Sequence, residues 1–263
     1  MPWKGHPFHL VTLSPWPIVC SINSFNLMIS IIIWFYYYNM YFMLINLIIM
    51  ISSMLFWWRD IIRESTFQGT HTQMIQKMLK FSMILFIISE MFFFLSFFWT
   101  YFHNFLSPSI EIGMNWPPKN IIMFNPYNIP LLNSLILISS GMTLTWSHNC
   151  LLNKNWIKSN ILMMITIILG LLFSSIQFIE YYEAPFTIND GIFGSIFYMM
   201  TGFHGLHVMI GIMFMSICFI RMLMNHLTEY HHFNFEGSAW YWHFVDVIWL
   251  LLYILIYWWN YYN

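Results

Sequence analysis

Glu90 stands in the middle of a long apolar run from Gln73 to Phe105. A helix over that run would hold it about 23 to 26 Å from either end. If the run crosses a bilayer, an ionised carboxylate there costs at least about 2.5 kcal/mol. The group is therefore expected to be protonated or hydrogen-bonded to another helix. Phe86, Ile87, Phe94 and Phe97 share its helical face and offer no partner. His204 and His207, spaced i and i+3 in a second apolar run, put both rings on one face and are candidate partners for Glu90. That spacing also suits a metal, but no carboxylate or Cys adjoins the pair. Each candidate ligand set lacks a third donor, and no bound metal is expected. The plain alternative for Glu90 is a neutral carboxyl that pins two helices together.

Trp57, Trp58, Arg59, Arg63, Glu64 and His71 gather at the end of another apolar segment. Aromatic belts and snorkelling Arg side chains are ordinary at a membrane interface. The same set also offers an anionic phospholipid headgroup charge-assisted donors above an apolar wall. Trp58, Arg59, Arg63, Glu64 and His71 are the candidate lipid ligands, with Arg221 expected opposite them. Eight of the 11 His fall on the side rich in Lys and Arg: His6, His9, His71, His148, His226, His231, His232 and His243. Imidazoles titrate near neutral pH, so His6, His9, His226, His231 and His232 are candidates for a proton-buffering surface. A polar rim that aids solubility is the competing reading. His243 and Asp246, one helical turn apart, are expected to bond to each other.

The elements that position these residues follow from composition. The 263 residues are 59% hydrophobic and 21% aromatic, and only 7% are charged, against roughly 25% in soluble domains. Nine Lys plus Arg and ten Asp plus Glu cannot cover a water-facing surface of this size. The expected solvent is lipid, and the near-neutral charge gives no footprint for nucleic acid. Cys20, Cys150 and Cys218 lie in or beside apolar segments without paired spacing, as packing residues do. Seven runs are long enough to span a membrane as helices: approximately 16–37, 41–65, 73–105, 131–152, 156–182, 191–223 and 237–259. The chain is expected to be all-α, a single membrane domain over 1–263. A stretch with Pro108, Pro117, Pro118, Pro126 and Pro130 separates the third and fourth runs. Gly191, Gly194, Ser195, Gly202 and Gly205 suggest a close-packing face on the sixth.

Seven spans put Lys4, Arg59, Arg63, Lys77, Lys80, Lys154, Lys158 and Arg221 on one side and Lys119 on the other. The positive-inside rule then places the N-terminus inside. Heavy use of Ile, Met, Phe, Tyr and Asn suggests an AT-rich coding template. With no cleavable leader at Met1 to Pro7, synthesis inside the organelle that uses the chain is expected.

Ordered blocks carry a resemblance. They are His6-Pro7-Phe8-His9, Ser14-Pro15-Trp16-Pro17, Trp57-Trp58-Arg59-Asp60-Ile61-Ile62-Arg63-Glu64 with Phe67-Gln68-Gly69 and His71-Thr72, Glu180-Tyr181-Tyr182-Glu183-Ala184-Pro185-Phe186, Thr201-Gly202-Phe203-His204-Gly205-Leu206-His207, and Trp240-Tyr241-Trp242-His243-Phe244-Val245-Asp246-Val247. Together they resemble subunit III of haem–copper cytochrome c oxidase along the whole chain. Ser147-His148-Asn149-Cys150 departs from relatives, which often have two His there, and this weakens any role resting on a His pair at that point.

The resemblance implies a non-catalytic core subunit of a proton-pumping respiratory oxidase. No haem or copper would sit on this chain, because subunits I and II hold those centres, and accessory subunits and membrane phospholipids would be the other partners. It implies bound phospholipid, support of proton uptake and turnover stability, and a reactive buried carboxyl at Glu90. It also implies helices one and two leaning away from helices three to seven across a lipid-filled cleft, in the mitochondrial inner membrane, with the N-terminus in the matrix and the C-terminus in the intermembrane space. A transporter using Glu90 should show broken helices and inverted repeats, and neither is visible. A membrane redox enzyme needs several facing His and carboxylates, and only His204 and His207 lie at the right depth.

Overall fold

The computed structural model describes residues 8–110, 113–119 and 121–262. Lys4 and His6 lie outside the described residues. Among the described residues the chain is all-helical: α1 Trp16–Tyr37, α2 Tyr41–Thr66, α3 Gln73–Leu106, α4 Ile129–Leu152, α5 Trp156–Glu183, α6 Gly191–Leu223 and α7 Phe233–Leu252. A π-helical stretch, Tyr253–Trp258, and a last turn, Trp259–Tyr262, continue α7. All seven helices are long and apolar enough to cross a membrane. At 34 residues, α3 is about 51 Å long against a hydrocarbon core of about 30 Å.

Local chemistry sets the helix ends. Pro17 and Pro130 fall in the first turns of α1 and α4, where a missing N–H leaves no bond unmade. Tyr38 ends α1 in the left-handed region, φ 55°, and its N–H bonds to the Trp34 carbonyl, so the chain turns back into α2 within three residues. The start of α7 differs from the expected Gly237 by a full turn. The His232 carbonyl accepts the N–H groups of Phe235 and Glu236, Phe235 is fully buried, and the Glu236 carboxylate suits the positive end of the helix.

Two compact units divide the chain, Met1–Leu79 and Lys80–Asn263. In the first, α1 and α2 form a hairpin. Ser53 Oγ meets Cys20 Sγ at 3.5 Å and accepts a bond from Asn23 Nδ2 at 3.2 Å, and Trp16 stacks on Phe56 at 5.4 Å. Only Cys20, Ser30 and Ser53 are fully buried along these two helices; the other side chains are half-buried or exposed.

The second unit packs α4 to α7 with the part of α3 that starts at Lys80. Ser147 and Ser159 exchange side-chain-to-carbonyl bonds at 2.9 Å between α4 and α5. Trp242 of α7 is fully buried, and its Nε1 donates to Ser140 Oγ at 2.9 Å. Its ring fills the space where a Cβ on Gly170 or on Gly211 would come within 2.8 Å. The close approach is therefore made at Gly170 and Gly211. It is not made along the expected face, since a Cβ on Gly191 or Gly205 would meet open space and Gly194 abuts the Thr187 carbonyl of its own preceding loop. The position of one large indole decides which glycines matter.

Gly211→Ala is expected to destabilise the purified protein by about 1–3 kcal/mol through overpacking. Gly205→Ala should be neutral or stabilising by up to about 1 kcal/mol, since Ala is the better helix former. Thermal unfolding midpoints in the same detergent check the contrast, and equal midpoints would count against the Trp242 wedge.

Candidate functional site

Glu90 on α3 meets His207 on α6, with Oε2 and Nε2 3.0 Å apart. His204, the other expected partner, is turned away, and its Nε2 bonds to the Val245 carbonyl at 3.2 Å. The pair is set among rings: Phe94 lies 5.0 Å from the His207 centroid, and Tyr241 and Phe244 lie 6.2 and 6.3 Å away. His207 Nδ1 donates to the Phe203 carbonyl at 2.7 Å, which leaves Nε2 to face Glu90. Nε2 then either accepts the proton of a neutral carboxyl or, as imidazolium, donates to a carboxylate. One proton shared between the two groups would leave the pair neutral overall. That removes most of the cost of an isolated charge at this depth. The His207 side chain is 9% exposed and Glu90 27%, so the carboxyl is the member open to the surroundings.

In the first unit, His9, Trp57, Asp60, Arg63, Glu64 and Gln68 help line a pocket of about 440 Å³. Asp60 organises its rim. Asp60 accepts the Trp16 Nε1–H at 2.6 Å and bonds to Arg59 at 3.2 Å, and Arg63 lies 3.9 Å away. Glu64 accepts from Thr12 Oγ1 at 3.2 Å and lies 3.7 Å from His9 Nε2. Sequence reasoning passed over Asp60 and Trp16, although Asp60 adjoins Arg59 and lies three residues before Arg63. Arg63 and Glu64 line the pocket. Trp58 and His71 are absent from its lining, though the His71 ring lies 6.0 Å from that of His9. Arg221 belongs to the second unit, where its buried Nε has no hydrogen-bond partner among the described residues.

The remaining histidines are dispersed. The His231 N–H donates to Thr228 Oγ1 at 3.0 Å in the loop before α7. Burial first, then the charges of Arg221 and His232, push its imidazole below the ordinary value. It therefore takes up a proton only in more acidic solution. His243 Nδ1 lies 3.5 Å from Asp246 Oδ2. His148, His232 and Glu236 converge with their ligand atoms within 4.8 Å of one another. This corrects the expectation that no ligand set gains a third donor; the second His comes from 84 residues away. Glu180 was also passed over. It is 1% exposed, and its carboxyl faces the buried Tyr257 hydroxyl.

Seven helices long and apolar enough to cross a membrane, with a Glu–His pair midway along α3, define a polytopic membrane protein. The chain matches the family model described as cytochrome c oxidase subunit III over residues 6–261. It is 55% identical to cytochrome c oxidase subunit 3 of Anopheles quadrimaculatus over 256 residues, 97% of this chain and 98% of that one. The counterpart from Rhipicephalus sanguineus is 54% identical, over 97% and 99% of the two chains, and that from Papio hamadryas 52%, over 97% and 98%. The chain belongs to the cytochrome c oxidase subunit III family, and so to an oxidoreductase complex of the respiratory chain with partner subunits.

A hydrophobic carbodiimide is expected to label Glu90, whose carboxyl is 27% exposed midway along the apolar α3, whereas Glu180 is buried at 1%. A water-soluble reagent should not reach it. Glu90→Gln keeps the shape and should remove the label. Peptide mapping after labelling checks this, and equal modification by the water-soluble reagent would contradict the geometry.

Proposed function

We propose that this chain is a non-catalytic core subunit of the proton-pumping oxidase that passes electrons from cytochrome c to oxygen. It holds structural phospholipid and supports proton uptake and turnover stability of subunit I. The observation that carries this reading is the α1–α2 hairpin. It leaves large apolar side chains such as Ile18, Phe25, Ile32, Phe42 and Ile48 exposed, and it ends in a pocket edged by the exposed guanidinium of Arg63. An acyl chain fits the apolar wall, and a phosphate fits the charge-assisted donors above it.

Two further features support a supporting role. His207 commits both ring nitrogens, to Phe203 and to Glu90, so it has no lone pair to spare for a haem or copper centre. Helices α3 to α6 each run without a break, whereas alternating-access carriers interrupt helices at their binding sites. The Lys and Arg asymmetry favours the N-terminus in the matrix and the C-terminus in the intermembrane space of a mitochondrion. His9, His226, His231 and His232 would then lie on the proton-uptake side.

Arg63→Ala removes a donor to phosphate, and Trp57→Ala and Leu13→Ala each remove apolar wall of the pocket. Each is expected to weaken retention of anionic phospholipid on the order of tenfold and to speed inactivation during turnover, with the initial rate nearly unchanged. Native mass spectrometry and progress curves read both effects. The same lipid count in all three variants would defeat lipid holding. Purification of the chain as an active species without haem and copper subunits would defeat the supporting role.

A further inference from the structure

His148 near the end of α4, His232 just before α7 and Glu236 in the first turn of α7 form a cluster of which the proposed function draws on His232 alone. Nε2 of His148 lies 3.3 Å from Nε2 of His232, and the latter lies 3.6 Å from Oε1 of Glu236. Two nitrogens bound tetrahedrally to one zinc ion at about 2.0–2.1 Å stand roughly 3.3–3.4 Å apart, as the two imidazole nitrogens do, and all three donor atoms lie within 4.8 Å of one another.

The surroundings orient all three donors. His232 Nδ1 donates to the Thr228 carbonyl at 3.1 Å, which fixes the tautomer and turns the Nε2 lone pair into the cluster. Metal-bound imidazoles are held by this kind of outer bond. His148 stacks on Phe235 with centroids 5.2 Å apart and planes 19° off parallel. Glu236 gives Oε2 to Lys80 at 2.5 Å and keeps Oε1 for the imidazoles. Side-chain exposures of 9% for His232 and 16% for Glu236 place the donors in a sheltered notch that a hydrated ion can reach through His148, which is only half-buried.

We propose that His148, His232 and Glu236 bind one divalent zinc ion, with solvent in the fourth position. Two imidazoles and one carboxylate without a thiolate suit zinc better than calcium or magnesium, which take oxygen ligands. The ion ties the end of α4 to the α6–α7 loop and the start of α7. Without metal, the same geometry is a hydrogen bond from His148 to His232.

The test uses the assembled oxidase, treated with chelator, titrated with Zn2+ alone and washed. Wild type should retain one more zinc equivalent than His148→Ala or Glu236→Gln, and both variants should bind that equivalent at least about tenfold more weakly. His103→Ala, outside the cluster, should match wild type. Zinc-edge X-ray absorption of the added equivalent should show two imidazole nitrogens and oxygen at about 2.0 Å. Equal zinc in wild type and both variants, or a wild-type shell without imidazole, would overturn the site. The wild-type spectrum decides the matter even if a variant fails to assemble.

Discussion

Lipid offers no hydrogen bonds, so every polar side chain along a span has to find its partner inside the protein. Much of the structure answers to that constraint. Ser and Thr hydroxyls bond back to carbonyls three or four residues earlier in their own helices, as Ser30 does to Leu27 and Thr166 to Leu162. Two tryptophans of α7 donate to two serines of α4, Trp242 to Ser140 and Trp249 to Ser134. Glu90 and His207 meet the same demand at greater electrostatic stake, since a charge left alone there is the costliest state open to the chain.

Because lipid tails compete with apolar side chains on equal terms, close fit replaces the hydrophobic effect as the force between helices. The indole of Trp242, seated against Gly170 of α5 and Gly211 of α6, supplies that fit at the centre of the second unit. The α1–α2 hairpin takes the other course. It buries three small polar or thiol side chains and leaves its bulk outside, which suits a surface for lipid.

Sequence made the spans legible because apolar length and Pro or charged breaks are local properties. Six helices begin within two residues of their expected starts, Trp16 and Gly191 among them. The seventh begins a turn before the expected Gly237, because burial of Phe235 and the first-turn carboxylate of Glu236 make the preceding turn helical. Glu90 stood out by depth alone, but nothing local distinguishes His204 from His207, three residues apart on one face. Only the packing of α6 on α3 and α7 assigns one to Glu90 and the other to Val245. Long-range meetings were out of reach altogether. Trp16 with Asp60, and His148 with His232 and Glu236, depend on how separate helix ends are brought together.

The central claim is that Glu90 and His207 serve as a neutral clasp within a supporting subunit, off the obligatory path of protons to oxygen. The most direct measurement is oxygen consumption by the purified, fully assembled Glu90→Gln oxidase at its initial rate. Gln keeps a hydrogen bond to His207 without an acidic proton, so the account predicts a rate close to wild type. A fully assembled variant that no longer reduces oxygen would contradict it and make Glu90 an obligatory proton carrier.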